Sequence, residues 1–430
     1  MMGKFKKYEN YRNSGFGWIG EIPSDWEMIR TKFLFSERVQ KGFPEKPLLA
    51  ATQTQGVVKK EDYGTRTVTA QKDFHLLKLV KVGDFVISLR SFQGGIEISY
   101  EEGIISPAYT IMIPSTKVEK NYVKHLFKSK FFILSLNRFV TGIREGQNID
   151  YKKFKNSFLP VPPFQLQKPI ANFLDEKTKQ IDNFIKTKEK TIALLQERKA
   201  AIINQVVTKG LDPNVPMKHS GIEWLGEIPA HWEVKKLKYV SKIKTGEKDT
   251  INKEVDGIHP FYVRSDNIEK ISTYSFDGEA VLTAGDGAGV AKVFHYVNGK
   301  FDYHQRVYKI SNFKEILGRF FFFYMKYNFI KEVMKISAKT TVDSLRLPML
   351  LNFSVTISKK SEQLKIVEFI LKIESKINLI IKNIQKEITL IKEYRASLIS
   401  AAVTGKIDVS GYQAKGTKAQ TASAELANSE

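Results

Sequence analysis

The chain has 430 residues, with 68 Lys and Arg against 46 Asp and Glu, a formal net charge of +22, and no cysteine. That length exceeds what one hydrophobic core fills, so two or more domains are expected, and the charge points to a polyanionic partner, nucleic acid being the commonest, ahead of a basic surface that merely aids solubility. The absence of cysteine excludes disulfides, thiolate metal sites and cysteine nucleophiles, and fits a reducing cytoplasm.

The lysines of Met1–Lys7 run into Tyr8, Glu9 and Asn10 with no apolar stretch behind them, so no signal peptide is expected. Gly17–Glu27 reads GWIGEIPSDWE. Phe85–Leu89 and Thr110–Ile113 read as strands, and Tyr122–Thr141 as a helix. Pro162, Pro163 and Pro169 read as helix start signals. They lead into Ile170–Lys209, which is free of proline and glycine and long enough for a helix of about 40 residues and roughly 60 Å. Leu174, Ile181, Leu195 and Ile202 recur there at heptad spacing, with Lys177 and Lys188 as interruptions.

The opening then returns: Glu223–Glu233 reads EWLGEIPAHWE, and both tryptophans are displaced by 206 residues, Trp18 to Trp224 and Trp26 to Trp232. Ala291–Tyr296 and Val307–Ile310 read as strands, and Val297–Lys300 as a hairpin turn. Ile316–Ala338 reads as a helix whose greasiest part, Phe320–Ile330, is interrupted by Lys326 and too short to cross a membrane, so it is expected to be buried. Ser361–Thr404 is a second long helix. Ile370, Ile377, Ile384, Ile391 and Leu398 recur every seven residues in it, beside Ile366, Ile373, Ile380, Ile381, Ile388 and Ala402. Glu197–Thr208 (ERKAAIINQVVT) and Glu393–Thr404 (EYRASLISAAVT) are a second repeat, displaced by 196 residues. The tail beyond Val409 lacks large apolar side chains and is expected to be disordered.

These elements describe an α+β chain written twice: two globular mixed α/β domains, each followed by a long helix. The expected boundaries are a first domain over 1–158, a first long helix over 159–210, a second domain over 211–358, a second long helix over 359–408 and a tail over 409–430. Similar length and register favour pairing of the two helices within one chain; an intermolecular coiled coil is the alternative.

Several catalytic signatures fail on inspection. Gly285, Gly287 and Gly289 form GDGAG, but strand residues rather than a helix follow, so a turn is expected instead of a phosphate loop. Val161–Phe164 imitates the Pro-Pro-aromatic loop of amino-methyltransferases, with Val161 where a polar residue would hold the amine. The seven histidines lack metal-binding spacing. There is no GxxxxGK[ST], and no acidic pair followed by lysine marks a nuclease centre.

The doubled GEIPxxW openings, LPVPPFQLQKPIANFLDEK at Leu159–Lys177, the ERKAAII and EYRASLI segments and the VTKGL and VTGKI endings resemble the specificity subunits of type I restriction-modification systems. The resemblance spans about Trp18 to Asp408; the departure is Lys359–Gln363 in place of a Pro-Pro pair before the second helix. It implies two target recognition domains, separated by two long antiparallel coiled-coil helices acting as a ruler in a pseudo-two-fold repeat. It also implies a cytoplasmic, non-catalytic, sequence-specific DNA-binding subunit that reads an asymmetric bipartite site on double-stranded DNA. Its partners would be two methyltransferase subunits, which bring S-adenosylmethionine, and restriction subunits, which bring ATP and magnesium chemistry; the chain would carry no cofactor of its own and contact no membrane.

Arginine suits guanine and the side-chain amides suit adenine in the major groove. The candidate base readers are therefore Arg90, Gln93, Arg144 and Gln147 in the first domain and Arg264, Asn267, Lys339 and Thr340 in the second, with Thr52, Gln53 and Gln55 as weaker candidates. Lys179, Lys186, Lys190, Lys372, Lys376 and Lys382 read as the solvated face of the helices, or as a track for partner subunits or spacer DNA. Two other readings stay open at this point: a DNA modification enzyme with an unfamiliar active site, and an architectural scaffold that binds proteins.

Overall fold

The computed structural model describes residues 5–53, 55–63, 73–88, 94–141, 148–287, 290–336 and 344–412. By its contacts the chain divides into two compact units, 1–188 with 386–430, and 189–385. The long helices, Phe164–Lys209 and Lys360–Val403, are therefore each shared between the units.

The first unit is built on an antiparallel four-stranded sheet in the order Phe35–Arg38, Tyr109–Pro114, Phe85–Ser88, Glu97–Ile98. Its core joins Phe85, Phe127, Phe132 and Phe154 to Ile170 and Leu174 of the first long helix and to Leu398 and Ala402 of the second. Two ion pairs, Asp182 with Arg395 at 3.3 Å and Lys188 with Glu387 at 2.7 Å, show that the helices run antiparallel in this unit. Lys188, which interrupts the heptad column, thus finds a partner across the seam. Ile377, Ile381, Ile384 and Ile388 are buried, whereas Ile380 is 46% exposed and lies outside the seam.

The second unit repeats the sheet order with Lys242–Thr245, Val307–Ser311, Phe276–Ala284 and Phe294–Tyr303, and continues it with His259–Tyr262 and Ile268–Ile271. The expected hairpin turn at Val297–Lys300 is instead the middle of strand Phe294–Tyr303. Gly299 lies opposite Gly278, and both take positive φ, 133° and 142°. Two facing glycines let the ribbon bend where any other residue would be strained. The bend returns Phe276 over Lys309, whose Nζ is 3.4 Å from the ring centroid although Lys309 pairs with Leu282, six residues along the strand.

The helix expected over Tyr122–Thr141 is broken at Ser129 into Lys120–Lys128 and Lys130–Leu136, followed by the turn Asn137–Phe139. Ser129 is extended and its hydroxyl accepts from Phe132 N, so it acts as an N-cap. The helix Gly318–Ile336 buries Phe320, Phe321, Phe323, Tyr324, Met325 and Phe329, as the apolar run required.

Each long helix starts from a buried glutamine. The first begins at Phe164, so Pro169 lies inside it rather than before it. Gln167 accepts from Glu119 N at 2.7 Å and donates to Lys117 O and Pro162 O, each at 3.1 Å. Gln363, displaced by the same 196 residues, accepts from Leu317 N at 2.8 Å and donates to Glu315 O at 2.9 Å and Ser358 O at 2.8 Å. Both side chains are fully buried, so truncation would leave backbone groups without partners. Gln363→Ala is expected to cost about 1–3 kcal/mol, read as a lower urea midpoint, and an unchanged midpoint would refute the anchoring role.

Each helix ends on a glycine that receives a GEIPxxW opening. Gly210 (φ 77°) has Trp232 Cζ2 3.5 Å from where its Cβ would stand, and Gly405 (φ 70°) has Trp26 Cζ2 at 3.4 Å and Pro23 Cδ at 2.2 Å. The left-handed conformation is the ordinary end of a helix and favours glycine. At Gly405 the packed Pro23 also leaves no room for a side chain, whereas a Cβ at Gly210 would stand in ordinary contact with its neighbours.

Candidate nucleic-acid interface

In the second unit three segments meet. Val263–Asn267 joins strands His259–Tyr262 and Ile268–Ile271, Gly285 and Asp286 follow strand Phe276–Ala284, and His304–Arg306 joins strands Phe294–Tyr303 and Val307–Ser311. Backbone bonds tie them together: Gly285 N donates to Arg306 O at 2.8 Å, His304 N to Tyr262 O at 2.9 Å and Gln305 N to Lys248 O at 2.7 Å. His295 supports the first turn by donating Nε2–H to Ser265 O at 3.1 Å.

On this frame Asp286 accepts from Arg264 Nη1 at 2.9 Å and from Arg306 Nη1 at 2.5 Å. Burial pushes the carboxyl's pKa up, but the hydrogen bonds and charges of the two guanidiniums outweigh it and hold the group below its ordinary value. The Asp286 side chain is mostly covered, while those of Arg264 and Arg306 are 44% and 63% exposed. Gln305 donates Nε2 to Asp249 Oδ2 at 2.7 Å, and Asn267 is exposed in the neighbouring turn. The result is an exposed patch with two cations on one anion, flanked by amides. That is a chemistry for phosphates and base edges. Lys309 is not part of it, being buried with its pKa pushed down to about 8 by desolvation and by Lys244.

The first unit has a corresponding turn. Strands Leu49–Ala51 and Val57–Lys59 pair antiparallel, and Leu48 bridges Ile104 in parallel, as His259–Tyr262 runs parallel to Phe294–Tyr303. Within the turn Thr52 is buried, its hydroxyl donating to Gly56 O at 2.9 Å and accepting from Gln55 N at 2.8 Å. That corrects Thr52 as a base reader: it closes the turn. Gln53 and Gln55 are exposed at the mouth of a cavity of about 550 Å³. Deeper in that cavity Lys124 and His125 meet Asp175 at 2.6 and 2.9 Å, and Lys128 meets Glu97. These charges satisfy one another in two separate groups along the cavity wall.

Of the eight principal candidates, the structure brings Arg264 and Asn267 into one turn. Arg90, Gln93, Arg144, Gln147, Lys339 and Thr340 lie outside the described residues. Sequence reasoning missed Gln305 and Arg306, although three hydrogen-bonding residues, HQR, in a tight connection between two strands were a usable signal. It also missed Asp286, having set GDGAG aside as a turn. Gly289 lies outside the described residues, and the described Asp286 has two partners. Among the described residues no group of His, Asp and Glu could hold a metal ion, and no helix is long and apolar enough to cross a membrane.

A family model described as the type I restriction modification DNA specificity domain matches residues 229–390, which contain this interface. The chain is 26% identical to the type I restriction enzyme MjaVIII specificity subunit of Methanocaldococcus jannaschii over 94% of its own length and 98% of that protein's. The chain is thus similar to type I restriction-modification specificity subunits over nearly its whole length. The type I restriction enzyme EcoDI specificity subunit of Escherichia coli is also 26% identical, over 42% of this chain and 40% of the relative. The fold is shared with a chain solved in work on complex assembly and conformational transition of the type I R-M system (TM-score 0.69, 14% identity, covering 89% and 98% of the two chains). It is shared too with the HsdS subunit from Thermoanaerobacter tengcongensis (TM-score 0.52, 13% identity, covering 90% and 98%). Equivalent turns of the two units carry unlike exposed side chains, Gln53 and Gln55 in one and Arg264 and Asn267 in the other.

Proposed function

We propose that this specificity subunit reads an asymmetric bipartite site on double-stranded DNA, one domain per half-site, and performs no chemistry itself. The carrying observation is that frame and reading surface behave differently in the two units. The sheet order, the buried glutamines and the tryptophan-capped glycines are duplicated, while the equivalent exposed turns present different hydrogen-bonding groups. Duplicated support with unlike side chains reads two unlike sequences. The long helices would set the spacer between half-sites. Two methyltransferase subunits would bring S-adenosylmethionine, and restriction subunits would bring ATP and magnesium.

Co-expression with the cognate methyltransferase subunits, followed by mapping of methylated positions across the host genome, tests the reading. The expected result is one bipartite motif with unequal halves. A palindromic motif would contradict the assignment of one unlike domain to each half, and methylation by the purified chain without partners would contradict its non-catalytic role.

A further inference from the structure

We propose that Arg264 and Arg306, tied together by Asp286, form a double donor fork that reads guanine in the half-site bound by the second domain, with Asp286 as its positioning residue. The proposal rests on the DNA-reading function above and names the base chemistry of one half-site.

Each guanidinium spends one terminal nitrogen, Nη1, on the carboxylate. Among the described residues neither Nε nor Nη2 of either arginine has another hydrogen-bond partner. A guanidinium held by one corner keeps an edge with two parallel N–H groups, and that edge matches O6 and N7 of guanine in the major groove. Anchoring also removes part of the cost of ordering a long side chain on binding.

The supports are stiff. Arg306 sits in a three-residue connection whose own N donates to His304 Nδ1 at 2.9 Å and whose carbonyl is taken by Gly285 N. Arg264 lies two residues beyond a strand end stabilised by the Tyr262 carbonyl bond. Without Asp286 the two cations would repel each other and swing apart. With it they are held side by side and still leave one net positive charge toward the polyanion. Gln305, held through Nε2 on Asp249, keeps its Oε1 as an acceptor beside the fork.

The test uses the complete complex with its methyltransferase subunits and the duplex defined by the mapped site. Guanines of the second domain's half-site are replaced one at a time by 7-deazaguanine, which removes N7 and preserves base pairing. The expected result is a loss of about tenfold at one or two positions. Arg306→Ala should bind more weakly and lose that sensitivity at one position. Asp286→Asn should blunt it while binding unrelated DNA more tightly, an increase that a purely structural lesion would not produce. Arg306→Lys, which keeps the charge but not the fork, should behave like the alanine variant toward 7-deazaguanine.

Indifference of the wild-type complex to every 7-deazaguanine, or undiminished sensitivity in Arg306→Ala, would overturn the proposal. So would a half-site without guanine. A uniform weakening on all duplexes with a shallower salt dependence would assign the arginines to phosphates and overturn it as well. Absence of any sequence preference in the wild-type complex would instead refute the DNA-reading function itself.

Discussion

Raising monovalent salt from about 50 to about 200 mM is expected to weaken DNA binding by the assembled complex by about a thousandfold or more. The reason is counterion release: each phosphate neutralised by Lys or Arg frees condensed cations, and this entropic gain shrinks as bulk salt rises. The net charge of +22 leaves many cations for the purpose. Lys179, Lys186, Lys190, Lys372, Lys376 and Lys382 are exposed on the long helices, and none of them forms an ion pair among the described residues. By contrast Lys124 and Lys128 are engaged by Asp175 and Glu97 and contribute less. Titrations of a fixed duplex at several salt concentrations give the log-log slope; a slope near zero would exclude binding dominated by phosphate contacts. Arg306→Ala should leave the slope nearly unchanged, because a base contact releases few counterions.

Trp232→Ala is expected to cost the second unit about 3–5 kcal/mol, the usual price of deleting a fully buried aromatic side chain. Trp232 is completely buried, meets Phe320 edge-on with ring centroids 6.5 Å apart, and donates Nε1–H to Glu362 at 3.1 Å. Its loss would open a cavity where the first long helix ends at Gly210 and remove one of the two partners of the half-buried Glu362 carboxylate, leaving His231. Against a typical total stability of about 5–15 kcal/mol, that removes much of the margin, so a large fall in the urea midpoint should accompany loss of assembly. Gly405→Val tests the same device in the first unit. A Cβ there would stand 2.2 Å from Pro23 Cδ at φ 70°, so both crowding and backbone strain oppose it. Midpoints within experimental error of the wild type for both variants would show that the openings do not close the helix ends.

Local pattern was enough to find the frame. The repeated tryptophans, the heptad isoleucines and the proline-free and glycine-free stretches placed both long helices, because helical periodicity and breaker residues act over a few turns. The apolar run at Phe320–Ile330 was likewise legible as a buried helix. Glycine at Gly299 was read as a turn, since its partner Gly278 lies far enough away in sequence that only the pairing reveals a bend within a strand.

Partners brought together across the chain were beyond that reach. Nothing local links Trp26 to Gly405, or Thr52's hydroxyl to the inside of its turn rather than the outside. Arg264, Asp286 and Arg306 belong to three separate connections, and nothing local in the sequence pairs them. Sequence determined that this chain is two copies of one frame with long helices between framing motifs. Tertiary structure decided which helix end closes each opening and which charged side chains share a site, because those choices depend on strand pairing and burial summed over the whole unit rather than on any neighbour in sequence.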